Sequence, residues 1–362
     1  MRNTNPYISL IINGVFYNKI TLLKLINQPT DTLPSWKKSF YSFLQDWLNE
    51  QDYVEVSTSG STGTPKRIRL SKEKMVNSAK MTGEYFGFQK EQKALLCLPC
   101  HYIAGKMMVI RAMVWGWNLI CVEPSGNPLE TIEQSIDFAA MVPMQVTKAI
   151  AETPSKMNYV KQLIIGGGKV HHTLWQQLQL VSTKCFATYG MTETITHIAI
   201  QPLNGRFKTE AFQLLPKVAI NQDERACLVI EAPHLSDDKI VTNDIVQLVD
   251  PQQFIWLGRF DNVINTGGVK VFPEQIEKKL EGVLKTRFFI SYLPDNKLGQ
   301  KVVLVIESPP WKEQKIADFQ QQTNNVLSKF ERPKHLFFLP EFIETTTGKV
   351  QRMKTKSLLQ LS

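Results

Sequence analysis

The chain has 362 residues, of which 43% are hydrophobic and 21% are charged. This usage is ordinary for globular proteins and excludes a fibrous or disordered chain, and the length suggests about two domains. The 42 Lys and Arg residues outnumber the 33 Asp and Glu residues, giving a formal net charge of +9. That balance favours anionic ligands such as phosphates. Because acidic residues lie between the basic ones along the chain, we predict no nucleic-acid partner.

The sequence carries no sign of a membrane or secretory protein. No apolar stretch is long enough to span a bilayer, so we predict no membrane insertion. Residues 1–6 are polar and lead into a strand-like run rather than an apolar signal core. The five cysteines, an odd number, fit a reducing compartment better than a disulfide framework. We therefore predict a cytoplasmic protein, and a homodimer is left open.

The predicted elements alternate between strands and helices through the first two thirds of the chain. Within residues 7–25, Asn13-Gly14 separates two apolar runs and predicts a hairpin. Residues 36–48 repeat apolar side chains at helical spacing. Further strands are predicted at 52–56, 94–98, 117–122, 162–165, 184–188, 226–230 and 254–257. Helical patterns between many of them indicate an α/β fold.

The last hundred residues form a separate small unit in this pattern. Pro273 suits the first turn of a helix over 274–280, two strands follow at 287–293 and 302–306, and a polar amphipathic helix is predicted at 315–330. We therefore predict a large α/β N-terminal domain, residues 1–258, and a small α+β C-terminal domain, residues 259–362.

A loop rich in glycine and hydroxyl side chains follows the strand predicted at 52–56. Residues 58–66 read Thr-Ser-Gly-Ser-Thr-Gly-Thr-Pro-Lys. Closely approaching N–H and hydroxyl donors with a cation at the end suit a phosphate chain. The segment is not a Walker A loop, because it lacks the Gly-Lys-Ser/Thr ending. Taken alone, it could equally be a flexible surface loop.

Four further segments with characteristic residues follow this loop along the chain. They are residues 189–193 (Tyr-Gly-Met-Thr-Glu), Asp244 after Thr242-Asn243, residues 258–264 (Gly-Arg-Phe-Asp-Asn-Val-Ile) and residues 347–349 (Thr-Gly-Lys). Together they resemble the adenylate-forming superfamily of acyl-CoA synthetases, peptide-synthetase adenylation domains and luciferases, over residues 56–352. The resemblance implies the acyl-CoA synthetase-like fold. It also implies an enzyme that makes an acyl-adenylate from a small carboxylic acid and ATP with Mg²⁺, then passes the acyl group to CoA.

The resemblance assigns catalytic and phosphate-binding roles. Lys349 would bridge the acyl carboxylate and the α-phosphate, Thr192 would donate to the α-phosphate, and Glu193 would hold Mg²⁺ together with phosphate oxygens. Positive charge is needed there because the attack brings anions together. The residues expected to cradle the β- and γ-phosphates are Thr58, Ser59, Gly60, Ser61, Thr62, Gly63 and Lys66.

The same resemblance assigns the nucleoside site and the moving parts. Asp244 and Arg259 would contact the ribose hydroxyls, and Asp261 matches the hinge about which the small domain rotates after adenylation. The residues expected at the adenine are Gly166, Gly167 and Gly168 on one face and Tyr189, with Gly190 and Met191, on the other. Gly267 and Gly268 would line the path of the pantetheine arm.

Residues 97–122 bear on the acid. They look closest to the 2-succinylbenzoate–CoA ligases of menaquinone synthesis, whose substrate is an aromatic keto-diacid. His101 or Tyr102 would face the acyl pocket, and their order departs from the family pattern. A second carboxylate needs a cation or N–H donors, and the candidates are Lys106, Arg111 and Lys169. Of these, we expect Lys169, beside the adenine loop, to help anchor the non-reacting end of the acid. Alternatives are a CoA ligase for another aromatic or fatty acid, and an enzyme that loads a carrier protein.

Residues 97–101 also spell Cys-x-x-Cys-His, the pattern of c-type haem attachment. Haem attachment needs export, which nothing at the N-terminus supports, and no second cysteine pair completes a zinc site. We therefore interpret the two cysteines as small buried side chains.

Overall fold

The computed structural model describes residues 6–29, 31–57, 67–344 and 350–359. Over these residues the helices are α1 (Lys19–Ile26), α2 (Ser35–Leu48), α3 (Lys72–Phe86), α4 (Ile103–Trp115), α5 (Pro143–Glu152), α6 (His172–Leu178), α7 (Pro273–Leu280), α8 (Glu313–Val326) and α9 (Arg352–Lys356). The strands are β1 (Leu10–Ile12), β2 (Val15–Tyr17), β3 (Tyr53–Ser57), β4 (Arg67–Ser71), β5 (Lys93–Leu96), β6 (Asn118–Cys121), β7 (Ile136–Met141), β8 (Val160–Ile165), β9 (Lys184–Gly190), β10 (His197–Pro202), β11 (Phe212–Leu214), β12 (Ala219–Gln222), β13 (Cys227–Glu231), β14 (Ile240–Asp250), β15 (Gln253–Arg259), β16 (Ile264–Thr266), β17 (Val269–Val271), β18 (Phe288–Asp295), β19 (Gly299–Glu307) and β20 (His335–Leu339).

A large mixed sheet organises the first 259 residues. Its order is β12-β13-β14-β15-β11-β10-β9-β8-β7-β5-β6-β1-β2, and the strands from β9 to β1 are parallel. Parallel strands covered on both faces read as continuous apolar runs. Leu95 and Leu96 of β5 accordingly face two different cores: Leu96 packs in a cluster with Met107 of α4, and Leu95 in one with Val146 of α5.

The other half of the large sheet is antiparallel, from β9 out to β12. The pairing of β14 with β15 sets Asp244 directly opposite Arg259. Residues that are fifteen positions apart in the chain therefore meet across two neighbouring strands.

A second, smaller sheet follows β15. Its order is β17-β16-β19-β18, and β20 pairs parallel with β19. Apolar side chains of β16, β18, β19, α7 and α8 form a core of their own. Helix α7 also touches the large sheet, because Gln275 donates to the carbonyl oxygen of Leu257 at 2.8 Å. A second contact joins Lys278 to Glu210 at 2.7 Å.

Local sequence signals located about half of these elements, among them the hairpin β1–β2 and the helices α2 and α7. The hairpin turn at Asn13-Gly14 has positive φ at both residues (49° and 85°), as a two-residue turn of type I′ requires. One helix boundary was wrong: α8 ends at Val326, four residues before the predicted end. The chain becomes extended at Leu327, whose side chain is 3% exposed in the core of the small sheet.

Candidate functional site

The predicted phosphate loop connects the two strands of a hairpin. Strand β3 pairs antiparallel with β4, and Ser57 lies opposite Arg67. The residues predicted to bind the β- and γ-phosphates and the predicted catalytic lysine lie outside the described residues; they are Thr58, Ser59, Gly60, Ser61, Thr62, Gly63 and Lys66, and Lys349. On either side of the latter, Glu344 and Val350 pair with each other.

The glycine loop 166–168 lies where β8 ends, beside the end of β9. A side chain at Gly166 would place its Cβ 2.5 Å from the hydroxyl oxygen of Thr188, and Gly167 has a φ of +76°. Both positions therefore require glycine. Ligands of open α/β sheets bind outside the carboxyl ends of the parallel strands, which is the edge that this loop occupies.

Several neighbouring side chains hold the carboxylate of Asp244 in place. It is 7% exposed, and its two oxygens accept hydrogen bonds from the Tyr189 hydroxyl at 2.7 Å and the Trp256 indole N–H at 3.1 Å. A guanidinium nitrogen of Arg259 lies 3.6 Å away. Burial, together with the neighbouring Asp244 charge, raises the pKa of Tyr189, so the phenol stays protonated and keeps donating.

Trp256 is a residue that sequence reasoning missed. Its ring reaches Asp244 because β15 runs antiparallel beside β14, with Trp256 opposite Val246. Only the pairing of the two strands reveals this contact, since no motif marks the position.

Arg259 and the predicted hinge residue Asp261 are in contact. Asp261 accepts from the Arg259 guanidinium at 3.1 Å and lies 3.4 Å from the side-chain nitrogen of Asn243. Asn243 and Arg259 belong to β14 and β15 of the large sheet, and Asp261 lies where the chain leaves β15 for the second sheet. The guanidinium is therefore shared between Asp244 and Asp261.

The turn that carries Thr192 and Glu193 is held by local hydrogen bonds. Thr194 accepts from the N–H of Met191 at 2.9 Å, and the next residue, Ile195, is buried with a φ of +65°. A β-branched residue in the left-handed region is strained, which is common in functional loops. Glu193 is exposed. Close packing also fixes Gly190, because a Cβ there would lie 2.3 Å from the carbonyl oxygen of Thr196.

The described residues contain no group of three or more His, Cys, Asp or Glu side chains that could hold a metal ion. Mg²⁺ typically binds through one or two carboxylates plus phosphate oxygens, so a lone carboxylate such as Glu193 fits this donor set.

The predicted acyl-pocket residues lie at and after the start of α4. The rings of His101 and Tyr102 are 3.9 Å apart between centroids, and both are exposed. Lys106 is 6% exposed with its ammonium 4.8 Å above the Phe43 ring, and burial lowers its pKa. Arg111 is 1% exposed, its Nε has no hydrogen-bond partner among the described residues, and burial lowers its pKa to about 10.

Lys169, the third candidate for the second carboxylate, has a partner of its own. Its ammonium lies 2.7 Å from Glu281, which follows α7. His171 approaches the same carboxylate at 3.2 Å. These two contacts connect the segment after the glycine loop to Glu281, in the part of the chain that forms the second sheet.

Gly267 and Gly268 form the turn between β16 and β17. Both have positive φ, +59° and +80°, and a Cβ at Gly267 would lie 3.3 Å from the Leu298 side chain. A turn without side chains leaves the backbone open to close approach.

The Cys-x-x-Cys-His pattern is not arranged for a metal or haem. Cys97 is 1% exposed and its thiol donates to the carbonyl oxygen of Ala140, while Cys100 is 2% exposed. Both thiols are core side chains, which agrees with the interpretation made from the sequence.

Comparisons with known proteins agree with this arrangement. Residues 35–220, just over half of the chain, match the family model of AMP-binding enzymes. An acyl-CoA synthetase (AMP-forming)/AMP-acid ligase II-like protein from Dyadobacter fermentans is 34% identical, with a TM-score of 0.63 over 94% of this chain and 98% of that chain. The chain belongs to the AMP-binding enzyme family.

More distant relatives carry more specific names. The 2-succinylbenzoate–CoA ligase of Enterococcus faecalis is 24% identical over 89% of this chain and 73% of its own length. That of Escherichia coli is 23% identical over 84% and 68%. The O-succinylbenzoate coenzyme A synthetase from Bacillus subtilis, solved in complex with ATP and magnesium ion, has a TM-score of 0.69 at 18% identity, over 83% of this chain and 69% of that chain.

The predicted family and the acyl-CoA synthetase-like fold are confirmed. These relatives also support the predicted enzyme class, an AMP-forming acid–CoA ligase, and the predicted use of ATP, Mg²⁺ and CoA. No helix in the described ranges is both long and apolar enough to cross a membrane.

Proposed function

We propose that the chain is a cytoplasmic ligase that converts 2-succinylbenzoate and CoA to 2-succinylbenzoyl-CoA, with ATP cleaved to AMP and pyrophosphate through an acyl-adenylate. The observation that supports the adenylation step is the arrangement of residues at the carboxyl edge of the parallel strands. There Gly166 and Gly167, both required as glycine, follow β8 beside the end of β9 that carries Tyr189, and the Tyr189 hydroxyl donates to the carboxylate of Asp244. Hydrogen-bond acceptors such as this carboxylate suit ribose hydroxyls.

In this proposal each group has one task. Asp244 and Arg259 bind the ribose, Tyr189 covers the adenine, Thr192 donates to the α-phosphate and Glu193 holds Mg²⁺ with the phosphates. The segment 58–66 takes the β- and γ-phosphates. Lys349 neutralises the charge that builds up as the acid attacks the α-phosphate.

The division into residues 1–258 and 259–362 belongs to the same proposal. Asp261 is the hinge, and rotation about it removes Lys349 after adenylation and brings Gly267 and Gly268 to the pantetheine arm. The contacts of Asp261 with Arg259 and Asn243 support this, because they involve surface side chains that can part without opening a core.

The acid is proposed from the names of the relatives and from one cation of this chain. Of Lys106, Arg111 and Lys169, only Lys169 has a carboxylate within ion-pair distance in the part of the chain that the structure describes. Arg111 is the most deeply buried of the three, and in the described part of the chain its Nε N–H has no hydrogen-bond partner. A buried guanidinium without an acidic partner is suited to the second carboxylate of an aromatic diacid.

Pyrophosphate release against a panel of aromatic and fatty acids, with the thioester identified by mass, tests this function. We expect release only with acid and ATP together, highest with 2-succinylbenzoate, and a 2-succinylbenzoyl-CoA product. The Lys349→Ala variant should lose pyrophosphate release while it still binds ATP. Preference for another acid would overturn the substrate. Adenylate formation without transfer to free CoA would indicate loading of a carrier protein instead.

A further inference from the structure

A chain of hydrogen bonds connects the buried Arg111 to a buried histidine. The Arg111 guanidinium lies 3.5 Å from the Thr196 hydroxyl, and this hydroxyl lies 3.2 Å from Nδ1 of His197. On its other side, Nε2 of His197 lies 3.3 Å from the Thr82 hydroxyl, which donates to the carbonyl oxygen of Ser78 at 3.0 Å. This series of hydrogen bonds thus connects α4, β10 and α3.

The donor and the acceptor of each hydrogen bond in this series follow from the groups at its two ends, the Thr82 hydroxyl and the Arg111 guanidinium. The Thr82 hydroxyl uses its only proton on Ser78, so it must accept from His197, which places the imidazole proton on Nε2. Nδ1 is then an acceptor and receives the Thr196 hydroxyl proton. The oxygen of Thr196 is left with its lone pairs free, and the guanidinium donates to it.

The imidazole is neutral in this arrangement. His197 is 4% exposed, and burial, together with the charge of Arg111, holds its pKa well below the ordinary value. A neutral ring is required, because a protonated Nδ1 would donate to Thr196 rather than accept from it.

Arg111 makes only this one side-chain hydrogen bond among the described residues, and its Nε is buried without a partner. Burying a charge without a counter-ion costs several kcal/mol, so a protein keeps such a cation only where something else repays the cost. The bond to Thr196 holds one nitrogen of the guanidinium, and Nε keeps an N–H without a partner among the described residues.

We propose that Thr196 and His197 are positioning residues that fix the orientation of Arg111 toward the second carboxylate of the acid. This inference rests on the proposed function and adds to it the pair of residues that sets selectivity for a diacid over a monoacid. Thr196 acts on Arg111 directly, and His197 acts through Thr196 by keeping its hydroxyl proton turned away from the guanidinium.

The Thr196→Val variant tests the proposal, because it removes the hydroxyl and leaves both neighbours in place. The readout is kcat/KM for 2-succinylbenzoate divided by kcat/KM for 4-oxo-4-phenylbutanoate, the same acid without its ring carboxylate. Because hydrogen bonds to charged groups are the stronger ones, we expect this ratio to fall about tenfold, with the KM for ATP unchanged. The matched control is Thr183→Val, a threonine 1% exposed whose hydroxyl bonds a carbonyl elsewhere in the core.

A second pair of variants keeps the test decisive if Thr196→Val folds poorly. His197→Gln retains one donor and one acceptor and should keep most of the wild-type ratio of the two kcat/KM values. His197→Leu retains neither, and its ratio should fall as it does in Thr196→Val. An unchanged ratio in both Thr196→Val and His197→Leu, in an enzyme that uses 2-succinylbenzoate, would overturn the positioning role alone. A wild-type enzyme inactive with 2-succinylbenzoate would overturn the proposed function as well.

Discussion

Glu281, which follows α7, accepts a hydrogen bond from Lys169 of the glycine-loop segment at 2.7 Å, so one carboxylate joins the two sheet units. Burial alone would raise the pKa of Glu281. The hydrogen bonds of His171, Lys169 and the His172 N–H outweigh this and lower it to about 2. A carboxyl whose pKa is lower in the folded state stabilises the fold above its ordinary pKa and loses this contribution as the pH falls.

The Glu281→Gln variant should therefore be less stable than wild type by about 1 kcal/mol at pH 7, since part of the pair is open to solvent. The difference should shrink as the pH falls from the ordinary value of 4.5 towards 2. Urea unfolding of the full chain at several pH values measures it. Glu224→Gln is the control, because Glu224 is exposed and has no ion pair among the described residues. A loss of stability that does not depend on pH would contradict the ion-pair account.

The Tyr189→Phe variant tests how Asp244 is held. The substitution removes the hydroxyl that donates to one carboxylate oxygen and leaves the Trp256 bond to the other. Because a nearly buried carboxylate then lacks one of its donors, we expect it to be held less firmly and to bind ribose less well. The KM for ATP in pyrophosphate release should rise roughly tenfold, with a smaller change in kcat. Tyr159→Phe, at a tyrosine 38% exposed, should leave both constants unchanged.

The sequence predicted those parts of the molecule that depend on neighbours in the chain. Asn13-Gly14 specifies its own turn, and the order of the motifs located Asp244 and Arg259 before their pairing was known. The contacts that complete the site depend on residues far apart. Trp256 reaches Asp244 only through strand pairing, and Glu281 meets Lys169 across 112 positions. No local pattern marks such residues, because their partners are chosen by the packing of whole elements.

The five cysteines should be nearly inert in the folded protein. Burial raises the pKa of the thiols of Cys97, Cys100 and Cys185 to about 12 and also raises the pKa of Cys121 and Cys227. A thiol reacts through its thiolate, which is scarce at pH 8 for such groups. With Ellman's reagent, we therefore expect fewer than one thiol per molecule to react quickly in the native protein, and all five to react in urea. A fast-reacting native thiol that disappears in Cys100→Ala would contradict the burial of the Cys-x-x-Cys-His segment.

Arg352 neutralises two acidic side chains that are nearly buried. Its guanidinium donates to Glu277 at 2.8 Å and lies 3.8 Å from Glu274, and these glutamates are 6% and 5% exposed. Burial raises the pKa of Glu277, against the opposing effect of Arg352. A carboxyl with a raised folded-state pKa contributes most stability at low pH and loses it as the pH rises through that value.

The Arg352→Met variant leaves Glu277 without its cation, and removing one partner of a buried pair typically costs about 3 kcal/mol. We expect this loss at pH 7 in urea unfolding and a smaller loss at pH 5, because the unpaired Glu277 then takes up a proton. The double variant Arg352→Met/Glu277→Gln should recover part of the loss at pH 7, since the amide still accepts from the Ile290 N–H. A loss that neither acid nor Glu277→Gln relieves would mean that Arg352 stabilises this region by packing on Phe289, 5.9 Å from its ring centre, rather than by charge.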